Sequence, residues 1–305
     1  MDRPTSPHGW SEWPAPAKLN LFLHITGRRA DGYHLLQTAF QLLDWGDRVR
    51  LRVREDDRVQ RIDPLPGVTA EADLAVRAAR ALQAASGSRM GADLAIDKCI
   101  PLGGGLGGGS SDAATALVAL NALWRCALDM DQLAAIGLTL GADVPVFVRG
   151  HSAWAEGVGE QLTALDLPER WYVVVDPGVA VPTPALFQAE DLTRTAAHLT
   201  IPLFVSGAAT VNVFEPLVRK RHPAVARALD WLGESATARL SGSGGCIFAA
   251  VDSRQAGEAI VAGCPSGMRG FVARGVNESP LLGRLRSWCG TDSGSEAGFT
   301  PASAT

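Results

Sequence analysis

The chain lacks the features that mark several large classes of protein. Its 28 Lys and Arg against 32 Asp and Glu give a net charge of −4, whereas nucleic-acid binding requires a basic surface. The five cysteines contain no C-x-x-C pair, which favours a reducing compartment over a disulfide framework. No apolar run approaches the roughly 18 residues that cross a bilayer, and MDRPTSPHGWSEWPAP at the N-terminus has no apolar signal core. These absences predict a globular cytoplasmic protein that binds neither nucleic acid nor membrane.

Sequence periodicity predicts a mixture of strands and helices, and therefore the α+β class. Alternating or continuous apolar runs indicate strands, which we place at residues 17–25, 48–55, 92–100, 171–177, 238–242, 246–251 and 270–275. Apolar residues at helical spacing indicate helices, which we place at residues 73–86, 110–124, 129–140, 223–233 and 253–263. We interpret GADVPVFV, residues 141–148, as a loop that passes into a short strand.

The distribution of proline, glycine and small polar residues predicts two domains and a tail. The stretch DPGVAVPTPALF, residues 176–187, interrupts the regular pattern and marks the seam between two halves. We therefore predict an N-terminal domain at residues 1–165 and a C-terminal domain at residues 166–290. Residues 291–305 are small and polar, so we expect a disordered tail there.

The segment PLGGGLGGGSSDAA, residues 101–114, contains six glycines in seven positions. A predicted strand leads into it and a predicted helix leaves it, with Ser110 or Ser111 as the helix cap. This order brings unpaired N–H groups and the positive end of a helix dipole together. The segment is therefore predicted to be a phosphate site rather than a linker.

The glycines alone do not decide which phosphate ligand the segment binds. The common NTPase loop G-x-x-x-x-G-K-[ST] is excluded, because no lysine follows the glycines. Gly103, Gly105 and Gly108 match the dinucleotide pattern G-x-G-x-x-G, with Asp129 or Asp131 about 20 residues further on. A nicotinamide-dependent oxidoreductase and a non-catalytic nucleotide-binding module are therefore alternatives at this point.

Four stretches together resemble the GHMP kinases, the family that includes galactokinase, homoserine kinase and mevalonate kinase. The glycine segment is similar to the family's phosphate loop P-x-G-x-G-L-G-S-S-x-A, in a form with extra glycines. Three further stretches resemble family signatures in the same order along the chain: PAKLNLFLHITGRRADGYH, LGADVPVFVRGHSAWAEGVGE and LSGSGGCIFA. The resemblance covers most of residues 14–280. It implies a two-domain fold of mixed sheets and helices, with the active site in the cleft between the domains.

The resemblance implies an ATP-dependent kinase for a small-molecule alcohol, with Mg²⁺ neutralising the phosphate charge. Lys18 and Asp143 match the catalytic pair, in which the carboxylate accepts the hydroxyl proton and the ammonium keeps that carboxylate ionised. The protein ligands of Mg²⁺ stay unknown. The implied ATP-binding residues are Pro101, Leu102, Gly103, Gly104, Gly105, Leu106, Gly107, Gly108, Gly109, Ser110 and Ser111.

The resemblance further implies a substrate that carries cytidine diphosphate on its alcohol. Tyr33 and His34 follow a DG turn and match residues that hold the cytosine by stacking and hydrogen bonds. Phe187 matches a second stacking aromatic, so the base would lie between two rings. A GHMP kinase for another small alcohol is the alternative within the family.

Three other residues are matched to the reacting end of the substrate. Asn20 lies on the same strand face as Lys18, because side chains alternate along a strand, and it matches a position near the substrate hydroxyl. Gly242 and Gly244 belong to the turn SGSGG, whose backbone approaches the substrate diphosphate in the family. For the whole protein we expect a monomer or a homodimer.

Overall fold

The computed structural model of the chain describes residues 9–65 and 67–292, and these residues form ten strands and ten helices. The strands are β1 Ser11–Arg28, β2 His34–Arg54, β3 Val59–Arg61, β4 Gly91–Asp97, β5 Ala153–Glu156, β6 Gln161–Ala164, β7 Trp171–Asp176, β8 Arg239–Leu240, β9 Ile247–Val251 and β10 Arg269–Val276. The helices are α1 Leu74–Ser86, α2 Gly108–Leu123, α3 Met130–Leu138, α4 Val144–Arg149, α5 Thr183–Phe187, α6 Ile201–Val205, α7 Glu215–Arg221, α8 Pro223–Gly233, α9 Arg254–Ala262 and α10 Pro280–Asp292. Within the described ranges, no helix has both the length and the apolar character needed to cross a membrane.

One sheet connects the two halves of the chain. Its strands follow the order β3-β4-β2-β10-β7-β9-β8, while β1 and β5 pair with β2, and β6 pairs with β5. β1 and β2 form a long antiparallel hairpin around a turn at residues 29–33. β10 pairs with β7 along Arg269 to Arg274 and then with β2 at Gly275 and Val276. β10 therefore links the hairpin to the C-terminal strands.

Two large hydrophobic clusters lie on either side of this link. The first packs α1, α2 and α4 against β1, β2 and β4. Its central element is α2, which is rich in alanine and buried over most of its length, so neighbouring backbones can approach it closely. The second cluster packs α7 and α8 against β7 and β9. The boundaries near residues 165 and 290 stay predictions.

The expectation of a loop and short strand at residues 141–148 is wrong, because α4 forms there. Pro145 stands in the first turn of the helix, where its missing N–H costs no hydrogen bond. Every residue from Val144 to Val148 is buried. A short segment that is apolar on all sides carries no periodicity that separates a helix from a strand. The helix puts Asp143 at its N-cap position.

The predicted serine cap of α2 is also wrong. The helix begins at Gly108, with Gly107 at the N-cap position in the left-handed region (φ 75°) and no side-chain cap. Ser110 and Ser111 therefore lie inside the first turn, and Ser111 is buried. Without a side-chain cap, the first N–H groups of α2 stay free for another acceptor.

The alternation of apolar and polar residues along 17–25 predicts one apolar face for this part of β1, and this prediction is wrong beyond Asn20. The pairing of β1 with β2 shifts register between Asn20 and Leu23, and such an irregularity re-aims the side chains that follow it. Leu19 packs in a third cluster between the hairpin and the C-terminal strands, whereas Leu23 and Ile25 join the C-terminal cluster. The tail expected at residues 291–305 begins within α10, which ends at Asp292, and the rest of it lies outside the described residues.

Candidate active site

The glycine segment forms a tight loop between β4 and α2. Gly103, Gly105 and Gly107 have φ of 67°, 76° and 75°, a region that side chains other than glycine rarely adopt. A Cβ on Gly105 would lie 2.2 Å from the carbonyl oxygen of Ser241, and a Cβ on Gly107 would lie 2.8 Å from Cζ of Phe147. The glycines are therefore required for the loop to pack against the turn at residues 241–245 and against α4.

This loop presents a row of free N–H groups. In the described part of the chain, the backbone N–H groups of residues 105–110 donate to no protein acceptor, and the first bonded group of α2 is that of Ser111, which donates to Gly107 O (2.9 Å). Free N–H groups at the start of a helix attract anions, because they carry the positive end of the helix dipole. The geometry is that of a phosphate-binding loop.

Lys18 and Asp143 meet beside the loop. Lys18 lies on β1, where its backbone N–H donates to Leu106 O of the glycine loop (3.0 Å). Its Nζ lies 3.3 Å from Oδ2 of Asp143, and the side chains are 4% and 35% exposed. Asp143 makes no capping hydrogen bond to α4. The carboxylate is therefore held by the ammonium on one side and open to a ligand on the other.

Asn20 is fixed against Lys18 on the same face of β1. Nζ of Lys18 donates to Oδ1 of Asn20, and Nδ2 of Asn20 donates to Oγ1 of Thr38 (2.9 Å). A Cβ on Gly242 would lie 3.0 Å from Oδ1 of Asn20 and 3.4 Å from Nζ of Lys18. The turn at Gly242 therefore lies directly against the Lys18–Asn20 pair, as its glycine allows.

A second lysine, Lys98, lies at the other end of the glycine loop. Its Nζ donates to Oδ2 of Asp112 on α2 (2.8 Å) and to Oδ2 of Asp47. The other oxygen of Asp47 accepts from the N–H groups of Cys99 and Ile100 (2.5 and 2.7 Å). This cluster joins β2, the end of β4 and α2, and so fixes the entrance to the loop.

The protonation of this cluster reflects both burial and charge. Burial raises the pKa of Asp112 to about 7, although Lys98 lowers it. Burial lowers the pKa of Lys98, but the carboxylates of Asp112 and Asp47 outweigh it and raise that pKa above its usual value. Oδ1 of Asp112 is buried without a hydrogen-bond partner in the described residues. Lys98 therefore stays charged, while Asp112 titrates near neutral pH.

An aromatic ring, that of Phe187, lines the same cleft as Lys18 and Asp143. His34 stacks on Phe187 with ring centroids 5.0 Å apart and an angle of 28°, and Phe187 packs edge-on against Phe214. Nε of Arg194 donates to Nε2 of His34 (3.2 Å). Partial burial and the charges of Arg194 and Arg28 lower the pKa of His34. Tyr33 is 65% exposed and leaves its ring available to a planar ligand.

One cavity of about 430 Å³ contains most of the predicted site. Of the predicted residues, those that line it are Lys18, Asn20, Pro101, Leu102, Gly103, Gly104, Gly105, Gly107, Gly108, Gly109, Ser110, Asp143, Phe187 and Gly242. Leu106, Ser111, Tyr33, His34 and Gly244 are outside this lining. Leu106 and Ser111 are buried, whereas Gly244 shapes the neighbouring turn with φ 93°.

Sequence reasoning missed several polar residues of the cavity. Lys98 and Thr38 line it, as do Thr183 and Ser243, whose hydroxyl oxygens are 2.6 Å apart. Only Lys98 carried a usable sequence signal, because it directly precedes the glycine segment. Within the described ranges, no group of three or more His, Cys, Asp or Glu could hold a metal ion.

The dinucleotide interpretation of the glycines does not fit this geometry. Asp129 caps α3, where its side chain accepts from Gln132 N and takes part in a capping box. Asp131 is exposed and pairs with Arg149 (2.9 Å). Neither aspartate ends a second strand next to the loop, which is where a ribose-binding acid is required.

Comparison with known proteins agrees with the sequence resemblance. The GHMP kinases N terminal domain matches residues 73–151, and GHMP kinases C terminal matches residues 187–269. A 4-diphosphocytidyl-2-C-methyl-D-erythritol kinase of Xanthomonas axonopodis pv. citri is 59% identical over 283 residues, which are 92% of this chain and 95% of that protein. The enzyme of the same name from Halorhodospira halophila is 59% identical over 275 residues, covering 89% and 95%.

Solved structures agree as well. A crystal structure of 4-(cytidine 5'-diphospho)-2C-methyl-D-erythritol kinase matches with a TM-score of 0.75 and 32% identity, over 87% of this chain and 100% of that chain. Homoserine kinase from Cytophaga hutchinsonii matches with a TM-score of 0.62 and 16% identity, over 92% and 98%, which shows the fold alone. The two-domain α+β fold predicted from the sequence is confirmed.

Proposed function

The chain belongs to the 4-diphosphocytidyl-2-C-methyl-D-erythritol kinases of the GHMP kinase family, and from that premise we propose how its residues carry out the reaction. The γ-phosphate of ATP is transferred to the 2-hydroxyl of 4-diphosphocytidyl-2-C-methyl-D-erythritol, which gives the 2-phosphate and ADP. This is a step of non-mevalonate isoprenoid precursor biosynthesis. The protein acts in the cytoplasm.

The observation that carries the proposal is the position of the Lys18–Asp143 pair beside the free N–H groups of residues 105–110. The loop holds the phosphates of ATP, since an anion there satisfies donors that have no acceptor among the described residues. The alcohol binds across the cleft with its hydroxyl toward Asp143. The nucleophile and the γ-phosphate then meet at one place, which is the main requirement of phosphoryl transfer.

Asp143 is the general base. As the substrate oxygen forms its bond to the γ-phosphorus and the bond to the ADP oxygen breaks, the hydroxyl proton passes to the carboxylate of Asp143. Lys18, whose Nζ lies 3.3 Å from Oδ2 of Asp143, holds that carboxylate in place and offsets negative charge on the transferred group. Asn20 orients Lys18 by accepting one of its hydrogen bonds.

Mg²⁺ fits the donors of the site without a dedicated protein cage. The ion prefers oxygen ligands and is commonly bound by one or two protein oxygens together with substrate phosphates. Ser110 lines the cavity and offers such an oxygen, so it would hold the ion on its protein side and leave Asp143 free to take the proton. When bound, Mg²⁺ supplies charge neutralisation at the β- and γ-phosphates.

The cytidine end is held by Tyr33, His34 and Phe187. His34 is already stacked on Phe187 in the free protein, so the base enters beside an ordered aromatic pair and Tyr33 covers it from the exposed side. The Gly242 turn, shaped by Gly244, approaches the diphosphate. A kinase for a small alcohol without a base would have no use for this aromatic group.

The direct test is to incubate the protein with ATP, Mg²⁺ and 4-diphosphocytidyl-2-C-methyl-D-erythritol, and to analyse the mixture by mass spectrometry. We expect ADP and a product that is heavier by one phosphoryl group. Homoserine, mevalonate and galactose serve as comparison alcohols, and turnover of one of them at the higher kcat/KM would contradict the assigned substrate. Equal ADP release without any alcohol would contradict alcohol phosphorylation altogether.

A further inference from the structure

A second cavity lies on the other side of β1 from the candidate active site. It has a volume of about 500 Å³, comparable with the about 430 Å³ of the first. Leu21 of β1 lines it, whereas Lys18 and Asn20 line the first cavity. The two cavities share no lining residue, and the proposed reaction uses none of the residues of the second.

Two arginines at this cavity have no acidic partner among the residues that the structure describes. Arg239 donates from Nη1 to Leu21 O (3.0 Å) and to Oγ1 of Thr210 (2.8 Å). Arg170 is exposed, and within residues 9–65 and 67–292 its guanidinium makes no hydrogen bond and no ion pair. The lining includes one carboxylate, Asp166. The cavity therefore has an excess of positive charge, which favours an anionic ligand.

Tyr172 adds a neutral hydroxyl to the same cavity. Its side chain is almost completely buried, and burial raises its pKa to about 12 although Arg170 and Arg239 lower it. The hydroxyl has no hydrogen-bond partner among the residues that the structure describes. A neutral O–H group without a protein partner is a donor that a bound anion can use.

The rest of the cavity is apolar. Phe248, Ala250 and Phe204 form its walls, and the adjoining segment, residues 203–211, contains three of the large hydrophobic residues that are most exposed in the described part of the chain: Leu203, Val205 and Val211 at 52%, 64% and 59%. Such a cluster at a cavity rim favours a ligand with an apolar body.

We propose that this second cavity is a binding site for an amphipathic organic anion. The anionic group, a carboxylate, phosphate or sulfonate, lies between Arg170 and Arg239 and accepts from the hydroxyl of Tyr172. The apolar body lies against Phe248 and the exposed side chains of residues 203–211. Binding here needs neither ATP nor the cytidyl substrate, so it stands independently of the proposed reaction.

The test compares two fluorescent probes that differ in charge. 8-Anilino-1-naphthalenesulfonate carries a sulfonate, and N-phenyl-1-naphthylamine has the same rings without it. We expect the full-length protein to bind the sulfonate with one-site saturation and at least about tenfold tighter than the neutral probe, because a charge-assisted contact is present only for the sulfonate. Saturating ATP with Mg²⁺ should not displace it.

Three variants locate the probe. Arg170→Gln removes an exposed charge that makes no side-chain hydrogen bond in the described part of the chain, and it should weaken sulfonate binding at least about fivefold, with no effect on the neutral probe. Ala250→Phe narrows the cavity and should weaken the binding of both probes. Arg254→Gln is the control, since Arg254 is an exposed arginine on α9 that pairs with Glu258. The proposal is overturned if ATP displaces the sulfonate, if both probes bind equally, or if Arg170→Gln behaves like the control.

Discussion

Nε of Arg194 donates to Nε2 of His34 across 3.2 Å, and this contact determines which nitrogen of the neutral histidine ring carries the proton. A guanidinium can only donate, so Nε2 must carry a lone pair and the remaining ring proton lies on Nδ1. Three further hydrogen bonds, to the carbonyl groups of Phe187, Ala189 and Leu192, hold the guanidinium in place. His34 is therefore presented as a neutral ring with a fixed donor.

The first prediction concerns the pH dependence of substrate binding through His34. Its pKa is lowered from 6.5 by partial burial and by Arg194 and Arg28, so the neutral ring persists below the usual histidine range. We expect the KM for the cytidyl substrate to be constant through neutral pH and to rise only as the pH falls below about 6.5. Steady-state kinetics between pH 5.5 and 8 measure this, with the KM for ATP as the internal control.

The Arg194→Met variant tests the cause of that behaviour. Removal of the charge raises the pKa of His34 toward its ordinary value, so the increase in KM should begin at a higher pH than in the wild type. Arg194→Lys keeps the charge and should give an intermediate profile. A parallel shift in the KM for ATP, or the same profile in all three proteins, would rule out this role of Arg194.

The second prediction concerns Asp143 as the general base. Asp143→Asn keeps the shape of the side chain but cannot take a proton, so we expect kcat to fall by about 10²–10⁴-fold while the KM for ATP changes little. Asp131→Asn is the matched control, because Asp131 is an exposed aspartate paired with Arg149 and should be neutral. Turnover of Asp143→Asn within about tenfold of the wild type would contradict proton transfer to this residue.

The third prediction separates two roles of glycine in the phosphate loop. Gly105 has φ 76°, and a Cβ there would lie 2.2 Å from Ser241 O. Gly105→Ala should therefore lower Tm and also weaken the binding of ATP. Gly109 is exposed within α2, and a Cβ there would meet only Cδ1 of Leu74 at 3.5 Å. Gly109→Ala should therefore raise stability by roughly 0.5–1 kcal/mol, as expected in a helix.

The KM of the Gly109→Ala variant for ATP then tests whether the first N–H groups of α2 bind the phosphates. If the free N–H groups of α2 hold phosphate, a methyl group at their edge should increase the KM for ATP severalfold even though the fold is more stable. Thermal unfolding and ATP kinetics of both variants supply the comparison. An unchanged KM for ATP in Gly109→Ala would mean that the phosphates bind elsewhere on the loop.

The parts of the site that the sequence predicts are those formed by neighbouring residues. Lys18 and Asn20 share a face because strand side chains alternate, and Asp73 and Gly87 cap the start and the end of α1, as their residue types indicate. The free N–H groups of the glycine loop follow from a strand, a glycine run and a helix in succession. Local geometry determines each of these, so a single sequence was sufficient.

The parts that were missed depend on contacts between distant segments. Lys98 gains its importance from Asp47, which lies 51 residues away in the sequence, and Arg194 contacts a histidine 160 residues away. The register shift in β1 after Asn20 depends on how β2 pairs with it. No local pattern contains this information, whereas the matching of Lys18 with Asp143 came from resemblance to a family.

The fourth prediction concerns the buried carboxylate beside Lys98. Asp112 has a pKa raised to about 7, chiefly by burial, while in the unfolded chain it ionises near 3.9. Between these values the folded protein binds a proton that the unfolded chain does not, so this group makes the protein less stable as the pH rises through that interval.

Asp112→Asn cannot ionise and keeps an oxygen for Lys98, so the stability of this variant should not fall for this reason as the pH rises. We expect the variant to gain about 1 kcal/mol relative to the wild type between pH 6 and pH 8, as measured by urea unfolding. Asp47→Asn is the contrasting variant, because it removes the carboxylate that accepts from both the Cys99 and Ile100 N–H groups and should lose stability at both pH values. A difference between Asp112→Asn and the wild type that does not change with pH would mean that Asp112 is not the group that titrates.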